Sequence, residues 1–315
     1  NTAFCCLLDS HAYTKHHLHE AVELKSKLSN SPTFKFTEFS EIFVSKSLAT
    51  LDPSSSPGIV GIETRVFKLC CDELAPHLTY LFNECLRQSV IPNEWKVSFI
   101  TPVLKPKSPK SSVASYRPIS IISPIAKVFE NLISKQITTH FERYNLLSEN
   151  QFGFRHGRSC ELALNTMFEY LKQRLDKGQR TIAVFLDLSK AFDTINHQLL
   201  IGKLRHYKFE DPSLSLMDNY LKERFCLVKQ GDQKSEMEPL RTGVPQGSIL
   251  GPLLFIIFFN DLNYLKISSK LFQYADDTTV TYACDSIVDL VTVLTSDLTQ
   301  IAAWLHQQSP LAQRG

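Results

Sequence analysis

Apolar and polar positions recur along this chain with two periods, and the switches between them mark its elements. From Thr14 to about Leu28 the spacing is helical, with charges on one face. Residues 50–61 contain Asp52-Pro53, three serines and Pro57-Gly58, a loop by composition. Glu63 to Arg87 is a long amphipathic segment. After Pro92, the alternation and β-branched residues of Trp95 to Leu104 suggest a strand. Lys, Pro and Ser make residues 105–115 an exposed, mobile basic loop, and Ser123-Pro124 opens a helix to about Tyr144.

The second half reads the same way. Gln151 to Ser159 is a loop bearing glycine and arginine that leads into a helix through Leu175. Thr181 to Leu186 is a short apolar run ending at Asp187, read as a buried strand. Helices are expected near 194–206 and 213–223, with a strand pair around Gly231-Asp232. A Gly/Pro turn at 243–247, a helix over 249–262, a hairpin over 271–283 and a helical tail over 285–305 complete the pattern. Helices and strands mixed without strict alternation indicate an α+β architecture, and no internal repeat is visible.

Composition narrows the class. The 315 residues, 43% hydrophobic and 21% charged, suffice for one large domain or two lobes and exclude a disordered or fibrous chain. A net charge of +2 permits a nucleic-acid partner without requiring one, so any such surface must concentrate its positive charge on one face. The cysteines at 5, 6, 70, 71, 85, 160, 226 and 284 form no C-x-x-C and no zinc-finger spacing. They read as reduced thiols of an intracellular protein. His11, His16, His17 and His19 lie together, but no carboxylate or cysteine completes a ligand set, and exposed helix histidines are expected. No signal-peptide pattern opens the chain, so secretion is not expected. The apolar run Leu253–Phe259 is far shorter than the roughly 20 residues that span a bilayer, so a buried core helix and no membrane partner are expected. Beginning at Asn1 and ending at Gly315, the sequence reads as a piece of a longer polypeptide.

Three carboxylates carry candidate chemistry. Asp187 ends an apolar strand, and Asp276-Asp277 fall between two strand-like runs, at a hairpin turn. Adjacent carboxylates repel one another unless a cation compensates. Magnesium prefers such oxygen ligands and keeps water and phosphate as the remainder. Two such ions about 4 Å apart are what nucleotidyl transfer requires. Each signal alone also suits a solvated turn or a helix cap.

Their neighbours carry a resemblance. Val184-Phe-Leu-Asp187-Leu-Ser-Lys-Ala-Phe192-Asp193-Thr-Ile-Asn-His197 resembles polymerase motif A of LINE-type (non-LTR) reverse transcriptases. Gly243-Val-Pro-Gln246-Gly247-Ser-Ile-Leu-Gly251 resembles motif B, and Tyr274-Ala-Asp-Asp277 the Y-x-D-D box of motif C. Ile91-Pro-Asn-Glu-Trp95-Lys96, Tyr116-Arg117-Pro118-Ile119-Ser120 and Gln151-Phe-Gly153-Phe-Arg155-His-Gly157-Arg158-Ser159 resemble the fingers motifs. The order is the family's, the likeness covers roughly residues 55–305, and the branch it most resembles is the jockey-like one.

The resemblance implies a right-hand polymerase with fingers over 55–180 and a palm over 181–305, after a helical extension at 1–54 and before a tail at 306–315. It implies RNA-directed DNA synthesis on an RNA template, from a DNA primer or nicked target DNA, with deoxynucleoside triphosphates. Asp187, Asp276 and Asp277 would hold two Mg2+ ions, with Mn2+ as a substitute. Phe192 would be a steric gate that collides with a ribose 2′-hydroxyl. Gln246 and Arg117 would contact the nucleotide, and Arg155, Arg158 and Gly247 the template, with glycine letting backbone approach a ligand. Lys105, Lys107 and Lys110 would add attraction to phosphates. Asp193 is expected to cap the next helix. A ribonucleoprotein in cytoplasm and nucleus is the implied setting. Val60 stands where relatives usually carry Asp, and the likeness fades after Trp304. The thumb is therefore expected to lie outside this sequence, and the piece alone to be weak or inactive on a primed template. Alternatives are an inert RNA-binding relic, a group II intron or retron-type polymerase and, remotely, a metal-dependent hydrolase.

Overall fold

The computed structural model describes residues 22–188, 190–231 and 233–308. In chain order come α1 (Val22–Asn30), α2 (Glu41–Ala49), α3 (Thr64–Leu69) and α4 (Cys71–Gln88). Strands β1 (Val97–Leu104) and β2 (Tyr116–Ile121) precede α5 (Pro124–Arg143) and α6 (Cys160–Asp176). Then follow β3 (Arg180–Leu186), α7 (His197–His206), α8 (Asp211–Leu221), β4 (Arg224–Gln230), β5 (Gln233–Lys234) and β6 (Glu238–Leu240). Helix α9 (Leu250–Phe259), the hairpin β7 (Lys270–Tyr274) and β8 (Asp277–Cys284), and α10 (Ile287–Gln308) complete the series. Helices and sheets are mixed, as the pattern of apolar positions indicated.

Within the described residues the chain divides into two compact units interleaved along the sequence. Of these residues, one unit takes those up to 32, 141–206 and those from 252 on, the other 33–140 and 207–251.

The second unit holds the sheet β2-β1-β4-β5, with β6 also on β4. Strand β2 was not among the elements expected, and it carries Pro118, a residue that strands admit only at edges or where no N–H is needed. Its register explains the tolerance: Pro118 sits opposite Pro102 on an antiparallel edge, so two residues without an N–H share one rung. Such a rung fits the non-hydrogen-bonded position of the ladder. In the same unit Phe39, Phe82, Trp95 and Phe129 pack ring against ring, with centroids as close as 5.3 Å. The segment entering this core pairs only through an isolated parallel bridge, where Phe34 N donates to Lys208 O at 2.8 Å and Glu210 N to Phe34 O at 2.9 Å, and side chains hold the rest. Asn83 bonds both backbone groups of Phe39, at 2.8 and 3.0 Å, and Gln136 both of Thr37, at 2.9 and 2.8 Å. The amphipathic segment 63–87 is two helices, not one. It breaks at Cys70 (φ −99°, ψ 28°), which closes α3 and opens α4.

The first unit holds the sheet β3-β8-β7. Every side chain of α9 from Leu253 to Phe259 is buried, as expected of a core helix. Helix α10 is, among the described residues, long and apolar enough to cross a membrane by length and composition. It buries a stripe of Leu290, Leu294, Asp297, Ile301, Trp304 and Gln308 within the fold, and Asp297 accepts from Ser268 and Ser269. Strand β3 departs from the buried strand expected: Phe185 is 73% exposed and its neighbours are at best half-buried. One face of this strand opens onto a cavity. The histidine cluster at 11–19, Cys5 and Cys6 lie outside the described residues, as does the part of the first expected helix before Val22.

Candidate active site

Strand pleat decides which side chains share a face. The antiparallel ladder pairs Leu186 with Thr278 and Phe185 with Thr279, while β7 pairs Phe272 with Thr279 and Tyr274 with Asp277. Phe185, Thr279 and Phe272 therefore form one row. Two residues further along lie Asp187, just past the end of β3, then Asp277 and Tyr274. Continued by one rung, the register sets Asp187 opposite Asp277. Asp276 lies in the two-residue turn beside them.

This face meets α6. A cavity of about 310 Å³ opens here, lined by Cys160 and Met167 of the helix and by Phe185, Asp187, Tyr274 and Asp277 of the sheet. That is the lower end of the range for small-molecule sites. Ser159 caps α6 by accepting from the Leu162 amide at 3.1 Å, and Met167 packs with Phe152 and Phe272 to fix the helix on the sheet. Asp187 and Asp277 are exposed at the cavity edge. Among the described residues no three His, Cys, Asp or Glu side chains converge as a ready-made metal cage. An oxygen-only set of exposed carboxylates beside a cavity nevertheless fits Mg2+, which takes one or two carboxylates and leaves its other positions to water and phosphate.

Phe192 lies in the same unit, half-buried. Its ring stacks on Phe255 of α9 at 4.5 Å and 19°, and meets Phe154 edge-on at 6.0 Å. Neither partner was singled out from sequence, and Phe255 lies within a uniformly apolar run that carries no signal of it. Asp193 does not cap α7. Asn196 does, accepting from Leu199 N at 3.1 Å, because it alone directly precedes the helix whose free amides need an acceptor.

The arginines divide. Arg155 has a side chain only 6% exposed, gripped by Glu142 at 2.6 and 2.8 Å and by the Ser148 carbonyl at 2.7 Å. It holds the 142–155 loop together, and its bidentate face is occupied. Arg158 donates to the Glu149 carbonyl at 2.6 Å and lies over the Phe152 ring. Arg117 is exposed on β2 in the other unit. There Ser120, three residues on, donates to the Gln246 carbonyl at 2.6 Å, which binds the 243–247 turn to the strand that carries Arg117. Gly247 (φ +108°) is required at this junction, since a Cβ would lie 2.5 Å from the Ser120 carbonyl oxygen. The glycine thereby lets two backbone segments of the protein itself approach closely. Beyond the turn, buried Glu130 accepts from Ile249 at 2.7 Å and Leu250 at 3.3 Å, capping α9, and from the Tyr220 hydroxyl at 2.9 Å. Burial pushes the Glu130 carboxyl above its ordinary range, opposed by Arg224 and these donors.

Gln151 and Gly153 were read only as parts of a motif. The structure sets both directly against the Ala275 backbone at the turn that carries Asp276. No spacing rule could have found them, because the contact joins residues more than 120 positions apart.

A family model described as reverse transcriptase (RNA-dependent DNA polymerase) matches residues 105–309. The chain is 32% identical over 266 residues, 82% of its length, to a probable RNA-directed DNA polymerase from transposon BS of Drosophila melanogaster. It is 32% identical over 273 residues, 85% of its length, to that from transposon X-element of the same species. It is 28% identical over 269 residues, 83% of its length, to the RNA-directed DNA polymerase from mobile element jockey, again from D. melanogaster. The chain spans 29% of the length of each of these curated relatives.

Proposed function

Because the chain belongs to the reverse transcriptase (RNA-dependent DNA polymerase) family, we propose that it is the polymerase core of a jockey-like, non-LTR element. On this reading it extends a primer 3′-end with deoxynucleotides, copying an RNA template. One observation carries the reading: register sets Asp187 opposite Asp277, beside the Asp276 turn, at the mouth of a cavity. The sheet β3-β8-β7 is assigned to the palm and the β1-β2 hairpin to the fingers.

Asp187, Asp276 and Asp277 would hold two Mg2+ ions, which supply activation of the attacking hydroxyl and stabilisation of the departing pyrophosphate. The remaining chemistry is positioning by the chain itself. Phe192, fixed by its stack on Phe255, presents a rigid ring to the sugar. Gln246 and the exposed Arg117, tied through Ser120, offer an amide and a guanidinium to nucleotide or template. Arg155 shapes its loop, and Arg158 is left as the candidate template contact there. The primer would be DNA, including a nicked target, and the enzyme would work inside the cell as a ribonucleoprotein in cytoplasm and nucleus. Co-sedimentation of the protein with its own transcript from both fractions checks that setting, and its absence from both would refute it.

Primer extension on an RNA template with Mg2+, in the full-length protein, tests the activity. Wild type should extend the primer, while Asp276→Ala and Asp277→Ala should each lose about a thousandfold in rate, the loss of several kcal/mol of charge stabilisation. Folded protein that binds RNA but extends no primer would replace this reading with that of an inert RNA-binding relic.

A further inference from the structure

The turn that carries Asp276 is held from outside the hairpin. Ala275 and Asp276 form the two-residue loop between Tyr274 and Asp277, and Ala275 has φ +56°. A positive φ at the first position of such a loop is where glycine is normally found, and an alanine there must be constrained by its surroundings. The constraint is Gln151, 3% exposed, whose side-chain amide engages both backbone groups of Ala275. Its Oε1 accepts from Ala275 N at 3.0 Å and from Gly153 N at 2.8 Å, while Nε2 donates to Ala275 O at 3.3 Å. The loop around it lies flat on the hairpin: Phe152 N donates to Gln273 O and Gln273 N to Asn150 O, each at 2.8 Å. Gly153 completes the fit, since a Cβ there would sit 2.2 Å from Ala275 N.

We propose that Gln151 is a positioning residue that locks the Ala275 turn in its left-handed conformation, and so sets how Asp276 in the turn and Asp277 at the cavity are presented. The inference rests on the polymerase reading above and deepens it. Freed of the clamp, Ala275 can relax toward negative φ, which rotates the peptide that joins it to Asp276. A metal site tolerates misplacement of only about half an ångström, so the loss is felt first in metal affinity and the chemical step. Partners that orient metal ligands typically contribute 10- to 100-fold in affinity or activity.

The test uses the full-length protein, with Mn2+ as the probe, its binding followed by electron paramagnetic resonance and its primer extension by kcat and KM. Gln151→Met keeps the volume and removes the amide. It should weaken Mn2+ binding and lower kcat, each by 10- to 100-fold, while KM for the deoxynucleotide stays within about twofold. Gly153→Ala, whose Cβ would press on the same Ala275 amide, should move the same quantities. Gln151→Met combined with Ala275→Gly should recover at least part of the Mn2+ affinity, since glycine adopts the turn unaided. Wild-type Mn2+ affinity and kcat in Gln151→Met overturn the proposal. So does a double variant no better than the single one, because that marks a general packing role. If wild type itself neither extends primers nor loses Mn2+ binding on Asp277→Ala, the polymerase reading is what has failed.

Discussion

Phe192 gains its proposed role from its neighbours. A ring free to rotate would yield to a 2′-hydroxyl, but this one is stacked on Phe255 and braced edge-on by Phe154. On the proposed reading, removing it opens space under the sugar. Phe192→Ala should therefore lower the preference in kcat/KM for deoxynucleotides over ribonucleotides by roughly 10- to 100-fold, the range for a packing contact of a few groups. Undiminished sugar discrimination in steady-state assays of that variant would remove Phe192 from the gate. Cys85 shows the opposite fate for a chemically capable residue. Burial pushes its thiol up to about 11, so it stays protonated and inert at neutral pH.

At the scale of elements, one buried ion pair joins α7 to the C-terminal ends of α9 and α10. Lys203 donates to Asp261 at 2.7 Å, to the Phe258 carbonyl at 2.6 Å and to Gln308 of α10 at 2.8 Å. Its ammonium also lies 4.1 Å from the Phe258 ring centroid. Burial pulls the Lys203 ammonium below its ordinary range, and Asp261 pulls it back. Removing the carboxylate alone leaves a charge in an apolar core, so Asp261→Ala should cost about 3–5 kcal/mol of unfolding free energy. Denaturant titration measures this. Lys203→Met together with Asp261→Leu should regain most of the loss, and a single variant within 0.5 kcal/mol of wild type, the ordinary surface range, would show the pair to be solvated. The same element scale explains α6. Its Ser159 cap and its Met167 contact place Cys160 and Met167 as one wall of the cavity.

For the whole molecule, a net charge of +2 supplies little general attraction to nucleic acid, so binding must depend on where the charges are concentrated. The loop after β1 is the candidate, with Lys107 and Lys110 exposed on it. If both contact template phosphates, Lys107→Ala with Lys110→Ala should reduce the slope of log affinity against log salt by about 1.4, at about 0.7 per contact on a single strand. Fluorescence anisotropy with a single-stranded RNA across a salt series reads that slope. An unchanged slope would take the loop off the template path.

Local physics made much of this legible from the residues alone. Periodicity and turn chemistry act between near neighbours, so the core helix at Leu253–Phe259, the Asp276 hairpin and the helix after Ser159 were all readable from spacing. The order and wording of the motifs around Asp187, Gln246 and Asp277 pointed to the family. Other features depended on which distant groups meet. Pro118 became tolerable only because Pro102 shares its rung, and Arg155 was engaged by Glu142. Gly247 proved to be pressed against Ser120, and β3 lay open along Phe185. What the sequence determined by itself was most of the elements and the family to which their motifs belong. Only the tertiary structure decided which face each side chain takes and what holds it there, because hydrogen bonds and packing between segments more than 100 residues apart leave no trace in local spacing.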